Sequence, residues 1–343
     1  MLDFRPQYST SKIADIESCI DRNYDLGGPV SCRLLQRGFN DVYLANARGG
    51  DRYVFRLSQH RARGPADVRI ETAFLAHLAG LNVPVASPIR TRHGAYFIEG
   101  RAPEGVREGV LFRAVGARDA DANSAPDARA NGKTLALVHQ AAETFDAGET
   151  RYRLDLDHLL WRPLARLRDS GLVEDQQGLH QMEAIAERTA SAIEAMDGLA
   201  WIYCHGDCHG FNARIDDSGE AVFFDFDDSG PGYLAYDLAV FLWAKVSFGR
   251  ELTAMWHEFV DGYQSVRAIP EADLQAVTRF VIVRHIWLMG EYASRAQEWG
   301  SNAVGWVAGE ADTLARWEND HLALPVRAGR SAGISEEAAG AMA

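Results

Sequence analysis

Residues 203–228 constrain this chain more than any other stretch. A polar loop, Tyr203-Cys204-His205-Gly206-Asp207-Cys208-His209-Gly210-Phe211-Asn212, leads into the short apolar run Ala213-Arg214-Ile215. The chain then turns at Asp216-Asp217-Ser218-Gly219 and returns through Ala221-Val222-Phe223-Phe224 to Asp225-Phe226-Asp227-Asp228. Turn residues between two apolar runs predict a β-hairpin. Asn212 and Asp225 lie roughly equidistant from the turn, so the hairpin brings two oxygen-bearing side chains together, with Asp207 in the loop just before. One Asn and one Asp oxygen suit Mg²⁺, which keeps several waters and takes its remaining ligands from phosphates. Moving a phosphoryl group needs little else from a protein: an acceptor hydroxyl held in line and a carboxylate to orient it or receive its proton, a part that Asp207 fits.

The flanking sequence predicts two unlike halves. Residues 30–57 read as a β meander: strands at 32–35, 42–46 and 53–57, with turns at 37–41 and at Gly49-Gly50-Asp51. Apolar residues at helical spacing predict a helix over 66–78, closed by Gly80 and Pro84, and strands resume at 85–89, 95–98 and 110–115. Residues 117–132 are polar and read as an exposed loop, the best boundary candidate. Beyond it, 133–145, 156–168, 181–196, 235–246, 252–263 and 274–296 are helical by pattern, and the Ala/Gly/Ser/Glu-rich tail 326–343 is expected to be disordered. The expected domains are therefore an N-lobe over 1–115, a hinge and exposed loop over 116–132, a helical C-lobe over 133–325 and the tail.

The spacing from Asp207 to Asn212 matches the D-x-x-x-x-N catalytic-loop pattern of kinases. His205-Gly206-Asp207-x-His209-x-x-Asn212, then Phe224-Asp225-Phe226-Asp227-Asp228, then Tyr236-Asp237-Leu238-Ala239, resemble in order and spacing the aminoglycoside phosphotransferase and choline kinase family. The turn Gly38-Phe39-Asn40-Asp41-Val42-Tyr43 and the hinge-like 110–116 are similar to that family's smaller lobe. The resemblance implies an α+β, bilobal protein-kinase-like fold with a small β-rich N-lobe, a larger helical C-lobe and ATP (alternatively GTP) with Mg²⁺ between them. It implies Asp207 as catalytic base, Asn212 and Asp225 as magnesium ligands, and Asp237 and His205 as supports of the loop. On the nucleotide side it implies Gly38, Asn40, Arg56 and Glu71. Arg56 stands where a lysine is usual, and a guanidinium grips phosphate oxygens as a fork with a different reach. The bland reading of Arg56 is a strand arginine on a solvated face, and of Glu71 an ordinary exposed helix residue. The region of Leu154-Asp155-Leu156-Asp157-His158 also looks similar to homoserine-kinase-like and stress-response-kinase members.

Asp227 and Asp228 are candidate acceptor-site residues, since an acidic cleft favours a cationic acceptor such as an amino alcohol, amino acid or amino sugar. Trp161, Tyr233, Tyr236, Trp243 and Trp287 are either stacking surfaces for such a ligand or plain core. Other chemistries fit less well. Cys204, His205, Cys208 and His209 offer zinc-type ligands but crowd into five residues with no second pair. Asn131-Gly132-Lys133-Thr134 imitates the end of a P-loop, yet the upstream glycine position holds Asp127, and no G-x-S-x-G elbow occurs. A net charge of −13 argues against a nucleic-acid partner. Four irregularly spaced cysteines, no apolar leader and no apolar run long enough for a bilayer make a cytoplasmic location without membrane attachment the expectation. A protein Ser/Thr kinase of the same fold, or a catalytically silent nucleotide-binding module, are the rival readings.

Overall fold

The computed structural model describes residues 6–59, 64–148 and 152–319. The first helix, α1 (Ile13–Asn23), precedes a meander of β1 (Val30–Arg37), β2 (Asn40–Ala47) and β3 (Arg52–Ser58). After α2 (Pro65–Gly80), β4 (Phe97–Ala102) and β5 (Gly105–Arg113) complete an antiparallel sheet in the order β1-β2-β3-β5-β4. Burial along β2 alternates strictly, so its two faces serve different ends. Tyr43 and Ala45 pack with Phe55, Leu111 and the Ile16 and Ile20 side of α1 in a core of their own. Val42, Leu44 and Val54, on the opposite face, line a cavity.

The C-terminal part is mainly helical. It comprises β6 (Arg118–Asp119), α3 (Ala125–Ala142), α4 (Arg162–Ser170), α5 (Gln176–Glu194), β7 (Trp201–Cys204), β8 (Ala213–Ile215), β9 (Ala221–Phe223) and β10 (Gly230–Tyr233). Then follow α6 (Leu234–Val246), α7 (Thr253–Gln264), α8 (Glu271–Ala293), α9 (Ala296–Trp299) and α10 (Glu310–Asn319). Helix α6 is buried on all sides from Leu234 to Lys245, which explains why it reads as a continuous apolar run rather than a striped one. Glycines set the closest approach in this half: a Cβ on Gly132 of α3 would lie 1.9 Å from the Phe259 carbonyl oxygen of α7, so only glycine fits there.

Two expectations need correction. Residues 117–132 are not an exposed loop. Ser124 accepts the Asp127 N–H as an N-cap, Pro126 sits in the first turn, and α3 starts at Ala125 with Asp127, Asn131 and Gly132 buried. The polar residues that suggest a loop are the cap and the buried hydrogen bonds of a helix start, so the exposed connection ends before residue 125. The strand expected at 85–89 reduces to isolated bridges at Val85 and Pro88, and α1 was not anticipated. The expected disordered tail, 326–343, lies outside the described residues. Among the described residues no helix is long and apolar enough to cross a membrane.

Candidate active site

The hairpin forms in the expected register, with Ala213 opposite Phe223 and Arg214 opposite Val222. One step before the strand, the Asn212 carbonyl accepts the Phe224 N–H at 3.1 Å, which sets Asn212 beside Asp225. Asp225 has φ of +65°, a left-handed conformation that costs a non-glycine residue roughly 1–3 kcal/mol.

The loop ahead of the hairpin is held from beneath by Asp237, in the first turn of α6. Its carboxylate accepts the N–H groups of His205 and Gly206, each at 2.7 Å, and lies 2.9 Å from Nε2 of His139 on α3. Burial would raise this carboxyl's pKa, but the hydrogen bond from His139, helped by the Gly206 backbone N–H, outweighs it and holds it below its ordinary value. Gly206 has φ of +86°, and a Cβ there would sit 2.1 Å from the Asp228 carbonyl oxygen. His205 receives the Asp207 N–H on Nδ1 at 3.2 Å and donates from Nε2 to the Phe224 carbonyl at 3.2 Å, which ties loop to hairpin. Burial pushes its imidazole pKa down, matching the neutral, Nε2-protonated ring that these bonds require. The structure thus places Asp237 beneath the loop and His205 between loop and hairpin.

Asp207 opens onto a cavity of about 780 Å³ shared with Asn212, Asp225, Asp227 and Asp228. Asn212 donates its side-chain amide to the Asp207 backbone carbonyl at 2.9 Å and to Oδ2 at 3.1 Å, leaving its own side-chain oxygen for another ligand. His209 Nε2 lies 3.6 Å from Oδ2. Oδ1 of Asp207 accepts a hydrogen bond from Arg284 of α8, a residue that sequence reasoning did not single out.

On the other side of the cleft, Arg56 of β3 and Glu71 of α2 form a buried ion pair at 2.7 Å, which excludes the solvated-face reading of either. Burial disfavours the Arg56 charge, but Glu71, Asp227 and Asp225 more than offset it. Arg56 Nη1 lies 3.9 Å from Asp225, and neither Nη1 nor Nε has a hydrogen-bond partner. Buried guanidinium donors without partners suit phosphate oxygens. Desolvation within the cleft, and then the like charge of Asp227, push the Asp225 carboxyl well above its ordinary range; a cation at this oxygen set would reverse that shift. The residues present therefore fit a hard divalent ion with a polyphosphate.

The tip of the β1–β2 turn is fastened to the helical part. Gly38 lends its carbonyl to Gln59 at 2.7 Å, Asn40 donates to Asp227 at 2.7 Å, and Gln59 accepts from Arg295. Phe39 meets Trp299 edge-on at 5.0 Å. Of the aromatic candidates, Trp243 and Trp287 line the large cavity, whereas Tyr233 and Tyr236 pack on Phe280 and Trp161 lies against the core. The four zinc-type ligands of the loop are not gathered together: Cys208 donates to the Asp237 carbonyl, and Cys204, buried on β7, groups instead with His139 and Asp237. The P-loop imitation lies in mid-helix.

A profile of the phosphotransferase enzyme family matches residues 31–270, across both lobes and through Asp207, Asn212, Asp225 and Asp237. The chain belongs to that family. An uncharacterized protein of Deinococcus radiodurans is 39% identical over 308 residues, 88% of this chain and 89% of its own length. Among solved structures, a microcompartment-associated aminopropanol kinase shares the fold with a TM-score of 0.73 at 23% identity, covering 90% of this chain and 98% of its own. An amicoumacin kinase in complex with AMP-PNP and Ca²⁺ has a TM-score of 0.71 at 16% identity, covering 92% and 93%. The bilobal α+β kinase-like fold expected from the motifs is the fold this phosphotransferase has.

Proposed function

We propose that this phosphotransferase moves the γ-phosphoryl group of ATP, with Mg²⁺, onto a hydroxyl of a small molecule. One observation carries the reading. A cavity of about 430 Å³, lined by Val42, Leu44, Val54 and Phe112, meets the larger cavity of Asp207 at shared walls that include Asp225 and Phe224. An apolar slot between the lobes and a polar chamber thus join at the carboxylate best placed for a metal. The nucleotide base would occupy the slot, the triphosphate would run past Arg56 to Asp225 and Asn212, and the acceptor would enter beside Asp207. Bound Mg²⁺ would neutralise phosphate charge as it shifts toward the leaving group. Asp207 receives the acceptor proton as the acceptor oxygen bonds to the γ-phosphorus, and the bond to the β-phosphate oxygen breaks with its electrons leaving on ADP. The kinases among its structural neighbours act on aminopropanol and amicoumacin by name, in keeping with a small-molecule acceptor.

The test is phosphorylated-product formation from Mg²⁺ and ATP or GTP over a panel of amino alcohols, hydroxy amino acids, aminoglycosides and a generic protein substrate. Acceptor-dependent turnover that falls at least ~10³-fold in Asp207→Asn supports the reading, a magnitude set by loss of both acid–base and positioning roles. Turnover confined to the protein substrate would favour a Ser/Thr kinase, and nucleotide binding without turnover a silent module.

A further inference from the structure

The cation that faces Asp207 has no part in the roles assigned so far, yet its surroundings are built around it. Arg284 is 2% exposed, in the middle of α8, and its guanidinium lies over the rings of Trp287 at 4.3 Å and Trp243 at 5.1 Å. It donates to Asp207 Oδ1 and, at 3.4 Å, to the Tyr236 hydroxyl, while its Nε has no hydrogen-bond partner. Trp287 Nε1, one turn further along α8, is likewise buried without one. A buried guanidinium is costly unless its fork of donors is filled, and one left partly filled at a cavity wall matches a planar oxyanion such as carboxylate.

Several of the chamber's carboxylates are already engaged by groups other than Arg284. Asp227 accepts from Asn40 and adds to the field on Arg56, which places it toward the phosphates; Asp228 accepts from Tyr152 at 3.1 Å. Glu291 is bridged by Arg166, and Asp119 by Arg214 at 2.9 Å. Arg284 and Arg250 are the remaining arginines at the cavity wall. Asp227, Glu291 and Asp119 are thus engaged by other groups, while Asp228 and Asp207 add to the negative field that Arg284 answers.

We propose that the acceptor is a hydroxy acid whose carboxylate is gripped by Arg284 while its hydroxyl meets Asp207. This rests on the phosphotransferase reading of the site and names its substrate class. Because Arg284 and Asp207 touch, the two groups of the acceptor must be close: hydrogen bonds of ~2.8 Å to each leave roughly 4–6 Å between hydroxyl and carboxylate oxygens. That is the span of a β- or γ-hydroxy acid and short for an amino sugar. In the free enzyme Arg284 holds Asp207 Oδ1, the oxygen a hydroxyl needs. A carboxylate turns the guanidinium toward itself and frees that oxygen, so acceptor binding and exposure of the base become one event. The hydroxyl proton then passes to Asp207, the oxygen bonds to the γ-phosphorus, and ADP departs with the electrons of the broken bond.

Matched acceptors that differ by a single carboxylate test this: L-serine against ethanolamine, L-threonine against 1-amino-2-propanol, L-homoserine against 3-amino-1-propanol. With Mg²⁺ and ATP, kcat/KM for at least one hydroxy acid is expected to exceed that of its decarboxylated twin by ~30-fold or more, since charged hydrogen bonds are the strong ones. Arg284→Gln should bring that ratio to within about threefold, chiefly through the KM of the acid, and Arg284→Lys should leave it between. Should the Gln variant fold poorly, the wild-type ratios and calorimetric binding of each twin still decide. Equal use of both twins, preference for the amino alcohols, or no binding or turnover of any acid overturns the inference. Mg²⁺–ATP binding, measured in the same samples, separates the failures: intact nucleotide binding with no carboxylate preference removes only the acceptor class, whereas its loss removes the kinase reading itself.

Discussion

Replacing Asp237 by Asn should damage stability and turnover together, although the residue faces neither cavity. Its carboxylate lies wholly buried, with Oδ2 accepting the His205 N–H and His139 Nε2 and Oδ1 accepting the Gly206 N–H. An amide keeps one acceptor oxygen and turns an NH₂ toward the other site. With the amide nitrogen at the Oδ1 position, the Gly206 N–H is left facing a donor; at the Oδ2 position, the His205 N–H is. Leaving one buried donor unpaired costs ~1–3 kcal/mol and losing the charge from the other bonds adds ~1–2 kcal/mol, together about 3–5 kcal/mol. Against a usual total of ~5–15 kcal/mol that is a large share, and it corresponds to a fall in Tm of roughly 5–15 °C. The His205-Gly206 backbone is what aims Asp207, and a 1 Å displacement of a catalytic group costs about 10²-fold in rate, so kcat should fall by that order. Urea titration followed by tryptophan fluorescence gives the stability change, and single-turnover transfer gives the rate. A variant with wild-type midpoint and wild-type kcat would refute the claim that Asp237 carries the loop.

Three further outcomes follow from the geometry. Gly132→Ala forces a Cβ to 1.9 Å from the Phe259 carbonyl oxygen, so α3 and α7 must separate, and a loss of ~2–4 kcal/mol in chemical denaturation is expected. The Arg118 guanidinium, with two hydrogen bonds at 2.6 and 2.7 Å, first among several causes, holds the Asp127 carboxyl down to about 2. A depressed carboxylate pKa stabilises the fold above its unfolded value of ~3.9 and loses that contribution as pH falls through the folded value; discounted for solvent around Arg118, it amounts to ~1 kcal/mol. The Asp127→Asn variant should therefore lose its deficit relative to the parent between about pH 5 and 2, in denaturation followed across that range. Arg56→Lys keeps a charge opposite Glu71 but not the fork, and should raise the KM for Mg²⁺–ATP by about tenfold in steady-state assays while leaving acceptor KM near its original value.

The central hairpin was legible because turn chemistry and apolar pairing are local: Asp216 to Gly219 fix the turn, and counting outward places Asn212 beside Asp225. The meander and the long helices could be read for the same reason, whereas Asp237, His205, Arg56 and Glu71 came from the resemblance of the motifs to a known family. What escaped depends on contacts distant in sequence. His139 lies among Leu135, Ala136 and Val138 on α3, and only the fold reveals that its partners are Asp237 and Tyr263. Arg284 did leave a signal, a single charge inside the apolar run from Phe280 to Trp287, since a buried charge needs a partner. Its partner Asp207 stands 77 positions earlier, so the signal names a residue without naming its role. Residues 117–132 misled because Ser124, Pro126, Asp127 and Asn131 are turn formers by composition and helix-start residues by position.

The most direct measurement of the central claim is a structure of the protein with Mg²⁺ and a non-hydrolysable ATP analogue. The account predicts the base against Val42, Val54 and Phe112, and a metal held ~2.1 Å from side-chain oxygens of Asp225 and Asn212. It also predicts phosphate oxygens on Arg56 and the γ-phosphate facing Asp207 across the space left for a hydroxyl. A nucleotide whose phosphates lie away from Asp225, or a metal that Asp225 and Asn212 do not touch, would contradict it.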